Sequence, residues 1–138
     1  MRAALLIALA GCYATPHVAA PPTAHTRVGC FDVDVVRTSR VPSPVFEYHF
    51  TNACDHEATA NVAGITGVAV TSDGAYHQID MGGHRHERFL YRIDPHDSAV
   101  AERATHAGGF ADDTEICVDL GTADDGLAYA AHWTCVHY

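Results

Sequence analysis

The sequence predicts an all-β protein built as an antiparallel β-sandwich, with seven or eight short strands and at most one short helix. Apolar and polar residues alternate with a period of two in several segments, which is typical of strands that bury one face. Turn signals such as Ser72-Asp73-Gly74 and Asp124-Asp125-Gly126 separate these segments at short intervals. Short alternating segments divided by such turns favour a sandwich.

The predicted strands share this alternation or a β-branched composition, and in chain order they cover residues 28–37, 45–52, 58–62, 65–71, 75–81, 89–93, 115–120 and 127–136. The clearest is Val45 to Asn52, which places Phe46, Tyr48 and Phe50 on one face. Glycines interrupt the third and fourth segments, so these form either two short strands or one strand with a bend.

Residues 94–109 break the alternation. Asp97 or Ser98 is a candidate N-cap for a helix of one or two turns that runs through Ala104. An irregular crossover between two sheets is the alternative for this segment.

In broad terms the predicted domain resembles an immunoglobulin-like domain. Antibody-type domains have the order Cys-Trp-Cys, whereas Trp133 follows three of the four cysteines in the predicted domain. The resemblance is therefore to the immunoglobulin-like architecture and not to the antibody-type motif.

Residues Met1 to Cys12 have the features of an export signal. A positively charged start precedes an unbroken apolar run from Ala3 to Ala10, which is the pattern of a secretory signal peptide. Leu9-Ala10-Gly11-Cys12 resembles the lipobox of bacterial lipoproteins. This resemblance implies cleavage before Cys12 and attachment of a diacylglycerol, with acyl chains such as palmitate, to the Cys12 sulfur.

Three segments follow from this interpretation: a signal peptide at residues 1–11, a lipid-attached flexible tether at residues 12–27, and a β-sandwich domain at residues 28–138. The tether is rich in proline and small residues and lacks a hydrophobic period. The apolar run is far shorter than the roughly 20 residues of a transmembrane helix. The alternative is ordinary signal peptidase cleavage after Ala8-Leu9-Ala10, which leaves Cys12 as a thiol.

The number of cysteines favours the lipoprotein interpretation. An odd number in an exported protein leaves one cysteine to be explained, and lipidation of Cys12 explains it. The other four, which are the disulfide candidates, then form two bridges in an oxidising compartment; they are Cys30, Cys54, Cys117 and Cys135.

Three disulfide pairings are open to these four cysteines. Cys30–Cys135 with Cys54–Cys117 is favoured, because the first and last strands of a sandwich often lie close together. Sequential pairing is the next alternative, although a simple hairpin would set Cys117 opposite Ala130. A Zn(Cys)₄ site is disfavoured because the sequence has no Cys-x-x-Cys spacing.

The charge excludes one class of partner and points to the mode of membrane attachment. The chain has eight arginines, no lysine and seventeen acidic residues, with a formal net charge of −9. So acidic a protein is a poor ligand for nucleic acid, where phosphate neutralisation supplies most of the affinity. Anionic lipid headgroups repel it as well. We therefore expect the protein to be attached to its partner, the membrane, through the N-terminal lipid.

Two histidines form the one candidate metal site. His84 and His86 are two residues apart, so in an extended strand their side chains project to the same side. Two imidazoles suit copper or zinc, with His77, Asp80 or Glu87 as a third ligand. The neighbouring glycines favour the simpler interpretation, an exposed hairpin tip.

The sequence therefore predicts a lipid-anchored cell-envelope protein whose disulfide-stabilised domain binds or scaffolds, without enzymatic activity or a resident cofactor. An envelope protein or a carbohydrate is the expected partner. Envelope metal binding through His84 and His86 is the first alternative and an envelope hydrolase is the second, although no known catalytic motif is present. Tyr13 follows Cys12 in place of the aspartate that retains enterobacterial lipoproteins in the inner membrane, which favours the outer membrane.

Overall fold

The computed structural model describes residues 20–39, 45–81, 89–104 and 115–137. All regular secondary structure in these ranges is β-strand, and every sheet is antiparallel, so the predicted all-β class is confirmed. The ten strands are β1 (Thr23–Val28), β2 (Phe31–Ser39), β3 (Val45–Asn52), β4 (Ala58–Asn61), β5 (Thr66–Val70), β6 (Tyr76–Ile79), β7 (Leu90–Ile93), β8 (Ser98–Ala104), β9 (Glu115–Asp119) and β10 (Trp133–Val136).

The first sheet has the order β1-β2-β3-β8 and carries the largest core side chains. Val33 lies opposite Phe50 and Val35 lies opposite Tyr48 across β2 and β3, and all four are fully buried. The polar residues between them point outward, which is the alternation that the sequence displays. β3 has the bounds predicted from the sequence.

The second sheet has the order β10-β9-β5-β6 and is built from shorter strands. Ile116 and Val118 of β9, Ala69 of β5 and Val136 of β10 face the core. The turn at 72–74 that joins β5 to β6 was predicted from Ser72-Asp73-Gly74, and Gly74 adopts a φ of 80° there.

A two-stranded sheet of β4 and β7 contributes Ala58, Ala60 and Ile93 to the core. The long connection between β9 and β10, residues 120–132, runs beside β4. Backbone bonds from Asn61 to Ala123 and from Asp125 to Thr59 hold the connection to β4. One buried cluster includes side chains of all three sheets, with Phe31 packed edge-on against Phe50.

The structure corrects two predicted element types. Ser98–Ala104 is a strand and not a helix, because it pairs with β3 along its whole length and directs Ala101 into the core. The last predicted strand, 127–136, is a strand only from Trp133, and the face that contains Tyr129 and Trp133 is exposed.

The ordered domain also begins earlier than predicted. β1 starts at Thr23, within the segment assigned to the tether, and pairs with β2 from Thr23 to Val28. The alternation in β1 is mostly of small and polar residues, so hydrophobic periodicity did not reveal it. The tether boundary at residue 27 is therefore wrong by at least five residues.

The two disulfides join Cys30 to Cys54 and Cys117 to Cys135. The favoured pairing of Cys30 with Cys135 is therefore wrong and the sequential alternative holds. The hairpin register was misjudged because the 120–132 connection is long and irregular. This connection shifts the register of β10 against β9, so that Cys135 lies directly opposite Cys117. Neither bridge joins the cores of the two four-stranded sheets as the antibody-type disulfide does.

Candidate functional site

A cleft of about 740 Å³ opens at one end of the second sheet, and we call it the sheet-end cleft. It lies where β5 begins at Thr66 and where β6 and β9 end at Ile79 and Asp119. These ends meet because β6 and β9 both run antiparallel to β5, with Thr66 opposite Asp119. The turn before β5 and the 120–132 connection form the remaining walls, through Gly64, Thr122 and other residues.

Asp119 holds the wall of the cleft together. Its side chain is buried, with 4% of its surface exposed. Oδ1 accepts hydrogen bonds from the backbone N–H of Gly121 at 2.9 Å and of His132 at 2.8 Å, and Oδ2 accepts one from the Tyr129 hydroxyl at 2.7 Å. One carboxylate thus joins the first, middle and last parts of the 120–132 connection.

These hydrogen bonds also set the charge of Asp119. Burial raises its pKa, but the bonds from the His132 backbone, the Tyr129 hydroxyl and the Gly121 backbone outweigh burial and hold the pKa below its usual value. The group is therefore ionised at neutral pH. It acts as a hydrogen-bond acceptor and not as a proton donor, which a general acid with a raised pKa would be.

Two glycines allow the walls to approach each other closely. A Cβ on Gly121 would lie 2.3 Å from the Ala130 carbonyl oxygen and 2.8 Å from the Tyr129 ring. A Cβ on Gly64 would lie 2.6 Å from the Thr122 hydroxyl. The glycines thus let Tyr129 lie over the backbone of the connection and let Thr122 lie against the turn before β5.

Tyr129 is the exposed aromatic of this cleft. Its side chain is 64% exposed although its hydroxyl is bound to Asp119. Because the ring is fixed at its hydroxyl and packed against Gly121, it presents an oriented aromatic surface at the mouth of the cleft. Trp133, the single tryptophan, lies opposite Asp119 in the β9–β10 register and is half exposed.

A second, smaller cleft of about 320 Å³ lies beside the Cys30–Cys54 disulfide. His56 Nε2 is 3.7 Å from Cys30 Sγ, and Asp124 accepts the Cys30 backbone N–H at 2.9 Å. Cys30, Cys54 and His56 have ligand atoms within 4.8 Å of one another. The two sulfurs are bonded to each other, so neither is a thiolate available to a metal in this state.

The histidines that form short contacts with carboxylates in the described ranges are spread over the surface. They are the pairs His25–Asp34, His49–Glu47, His96–Asp55 and His137–Glu115, at 2.7 to 3.2 Å. None of these histidines lines either cleft. The hydrolase hypothesis requires a histidine and its partner inside a cleft, and these pairs do not provide that arrangement.

The predicted site residues have different outcomes. The four disulfide candidates, Cys30, Cys54, Cys117 and Cys135, all form bridges. Cys12 lies outside the described residues. His84 and His86 lie outside them too, so their metal site stays a prediction. It can be tested by calorimetric titration of Cu(II) and Zn(II) into the wild type and the His84→Ala and His86→Ala variants.

Sequence reasoning missed Asp119, Gly121 and Tyr129 as a structural unit. Asp119 was one acid in a predicted strand, and Tyr129 was assigned to a strand face. The available signal was local: an acid at the end of a strand followed two residues later by glycine, which is typical of an Asx turn.

Within the part of the chain that the structure describes, no helix is long and apolar enough to span a membrane. No model of a known protein family matches the chain, and no curated protein matches it.

Proposed function

We infer that this chain is a lipid-anchored protein of the bacterial cell envelope whose disulfide-stabilised β-sandwich is a binding domain. The observation that carries this proposal is the disulfide pairing. Cys30, Cys54, Cys117 and Cys135 pair among themselves, and the fifth cysteine is Cys12, at the end of the lipobox-like sequence. The pairing thus accounts for every cysteine of the predicted domain and leaves Cys12 for the lipid.

The two disulfides also support the compartment. Disulfides persist in oxidising compartments such as the bacterial periplasm and are rare in the cytosol. An exported chain is what the N-terminal signal predicts. The outer membrane is the proposed location, on the ground that Tyr13 follows Cys12.

In this proposal a lipid holds the protein at the membrane, because electrostatic repulsion favours release of the protein from an anionic membrane surface. With a net charge of −9 the chain is repelled by anionic headgroups. Each buried CH₂ of an acyl chain contributes about 0.8 kcal/mol, and stable anchoring takes two hydrophobic signals, which a diacylglycerol provides. Since β1 starts at Thr23, ten residues separate Cys12 from the domain. In a polyproline II conformation they would span about 30 Å.

The sheet-end cleft supports binding as the role of the domain. Its central carboxylate is ionised and accepts three hydrogen bonds that order the wall. The cleft is thus a preorganised surface with an oriented aromatic and several polar groups, which suits recognition of a ligand.

Metabolic labelling tests the anchor. Cells that express the full chain are fed labelled palmitate, and we expect label on the wild-type protein and none on Cys12→Ser. The matched control is the double variant Cys117→Ser/Cys135→Ser, which removes two other cysteines and should keep the label. Globomycin should make the precursor accumulate. Normal processing under globomycin, or label on Cys12→Ser, would overturn the proposal.

A further inference from the structure

We propose that the sheet-end cleft binds a neutral saccharide, with the ring of Tyr129 as its stacking surface. This inference rests on the proposed binding function and deepens it by naming the ligand class. It follows from the size of the cleft, from the charge of its lining, and from the pairing of hydroxyl-binding groups with one exposed aromatic.

The size fits a small ligand. A volume of about 740 Å³ lies within the range of about 300–1,000 Å³ typical of small-molecule sites. The cleft lies at the ends of strands and is walled by connecting segments, which is where a rigid sandwich usually positions its binding residues. The wall is ordered by the Asp119 hydrogen bonds, so little entropy is lost when a ligand is bound.

The charge of the described part of the lining is unfavourable for anionic ligands. Among the described residues that line the cleft there are two carboxylates, Asp80 and Asp119, and no arginine or histidine. Asp119 is ionised at neutral pH, so its charge repels a phosphate or a carboxylate.

A divalent cation is also a poor fit. Calcium takes six to eight oxygen ligands, whereas both oxygens of Asp119 already accept hydrogen bonds from the connection. These bonds use three of the roughly four acceptor sites of the carboxylate, so Asp119 has little capacity left for a cation. A neutral ligand makes no such demand.

The polar groups match the hydroxyls of a sugar. A saccharide hydroxyl both donates and accepts hydrogen bonds. The lining offers the hydroxyl of Thr66 and the amide of Gln78, which together supply donors and acceptors.

Tyr129 supplies the apolar half of sugar recognition. One face of a pyranose ring is made of C–H groups, and these pack against the negative face of an aromatic ring. Tyr129 is 64% exposed and fixed at its hydroxyl by Asp119. Ile65 and Met81 add apolar surface to the lining. Polar groups beside an oriented tyrosine thus favour a saccharide over an apolar ligand.

Trp133 provides the readout for an experiment. It is the single tryptophan of the chain and lies opposite Asp119, the carboxylate that holds Tyr129. The full-length protein is purified in detergent and tested on an array of neutral glycans, anionic glycans and arginine-rich peptides. Neutral glycans that bind are then titrated while Trp133 fluorescence is recorded.

Four variants separate stacking from folding. We expect Tyr129→Ala to weaken binding of the neutral glycan by at least about tenfold, since the ring supplies the stacking surface. Tyr129→Phe keeps the ring but loses the hydroxyl bond that orients it, so its affinity should lie between those of the wild type and Tyr129→Ala. Gln78→Ala should weaken binding through a lost hydrogen bond. The matched control is Tyr76→Ala, which removes a tyrosine that is 74% exposed at the opposite end of β6 and should leave affinity unchanged.

Binding of a neutral glycan that Tyr129→Ala abolishes and Tyr76→Ala spares supports the proposal. Binding of anionic glycans alone, of arginine-rich peptides alone, or of neutral glycans with equal affinity by Tyr129→Ala overturns it, as does no binding at all. The lipid on Cys12 is measured separately by labelling, so failure of the saccharide proposal and failure of the anchor are distinguishable.

Discussion

The two four-stranded sheets of this sandwich differ in what they contribute. The first has long, regular strands and buries Phe31, Phe46, Tyr48 and Phe50 completely. The second has shorter strands and buries small or β-branched side chains such as Ala69 and Val118, and its β9 and β10 are joined by a long irregular connection. The sheet-end cleft and its ordered wall belong to the second sheet.

This difference indicates a division between stability and recognition. Large aromatic side chains bury the most apolar surface, so we expect the first sheet to supply the larger share of the apolar burial that stabilises the fold. The second sheet is held by a disulfide and by hydrogen bonds to Asp119. Its irregular connection is where the exposed Tyr129 lies. Four variants test this division.

Phe50→Ala should have the largest effect on stability. Phe50 is fully buried, lies opposite Val33 and packs against Phe31, so its truncation should lower the free energy of unfolding by about 3–5 kcal/mol. Urea denaturation measures this loss. Val118→Ala in the second sheet removes fewer buried methyl groups and should cost less. An equal or larger loss for Val118→Ala would contradict the division.

Removing the Cys117–Cys135 disulfide should come next. Replacing both cysteines by alanine should lower the free energy of unfolding by about 2–4 kcal/mol. The control, Cys30→Ala/Cys54→Ala, breaks a bridge of similar span, 24 residues against 18, and should cost a similar amount. Only the Cys117–Cys135 bridge closes the connection that carries Tyr129. Removing this bridge should therefore weaken ligand binding to the sheet-end cleft, whereas removing Cys30–Cys54 should not. Equal binding losses would show that the second sheet does not order the site.

Asp119→Asn should have a smaller, pH-dependent effect. The amide cannot accept all the hydrogen bonds that Asp119 accepts, so the variant should lose about 1–3 kcal/mol at neutral pH. The folded-state pKa of Asp119 is lowered. Its contribution is therefore fully present above the unfolded-state pKa of about 3.9 and is lost as the pH falls through the folded-state pKa.

Urea denaturation at pH values from 7 to 2 measures the free energy of unfolding of the wild type and of Asp119→Asn. The difference between the two should shrink in acid. The control is Glu102→Gln, which changes an exposed carboxyl on the first sheet. Its free energy of unfolding should stay within about 0.5 kcal/mol of the wild-type value over the whole pH range. A difference for Asp119→Asn that is constant with pH would contradict the role assigned to the ionised carboxylate.

Val100→Thr should have the smallest effect. Val100 lies on the outer face of β8 and is 55% exposed, so this isosteric change should alter the free energy of unfolding by less than about 0.5 kcal/mol. Thermal denaturation checks it. A larger loss would mean that the outer face of the first sheet is covered in the protein.

Sequence reasoning succeeded where local pattern decides structure. In β3 the large aromatics alternate strictly with polar residues, so both its bounds and its buried face were predicted. The turn at Ser72-Asp73-Gly74 was predicted because glycine permits the positive φ that Gly74 adopts.

Sequence reasoning failed where partners far along the chain decide structure. The alanines of Ser98–Ala104 favour a helix in isolation, but pairing with β3 makes this segment a strand. The disulfide pairing depended on the register of β9 and β10, which a long connection does not specify. The cleft could not be predicted because Asp119 and Tyr129 meet only through that same connection.

The mass of the mature protein, extracted from membranes and alkylated without reduction, tests the central claim most directly. We predict a chain that begins at Cys12 and carries a diacylglycerol, with no alkylation of Cys30, Cys54, Cys117 or Cys135 until the disulfides are reduced. A chain that begins at Gly11, without lipid and with one alkylated thiol at Cys12, would contradict the account of a lipid-anchored envelope domain.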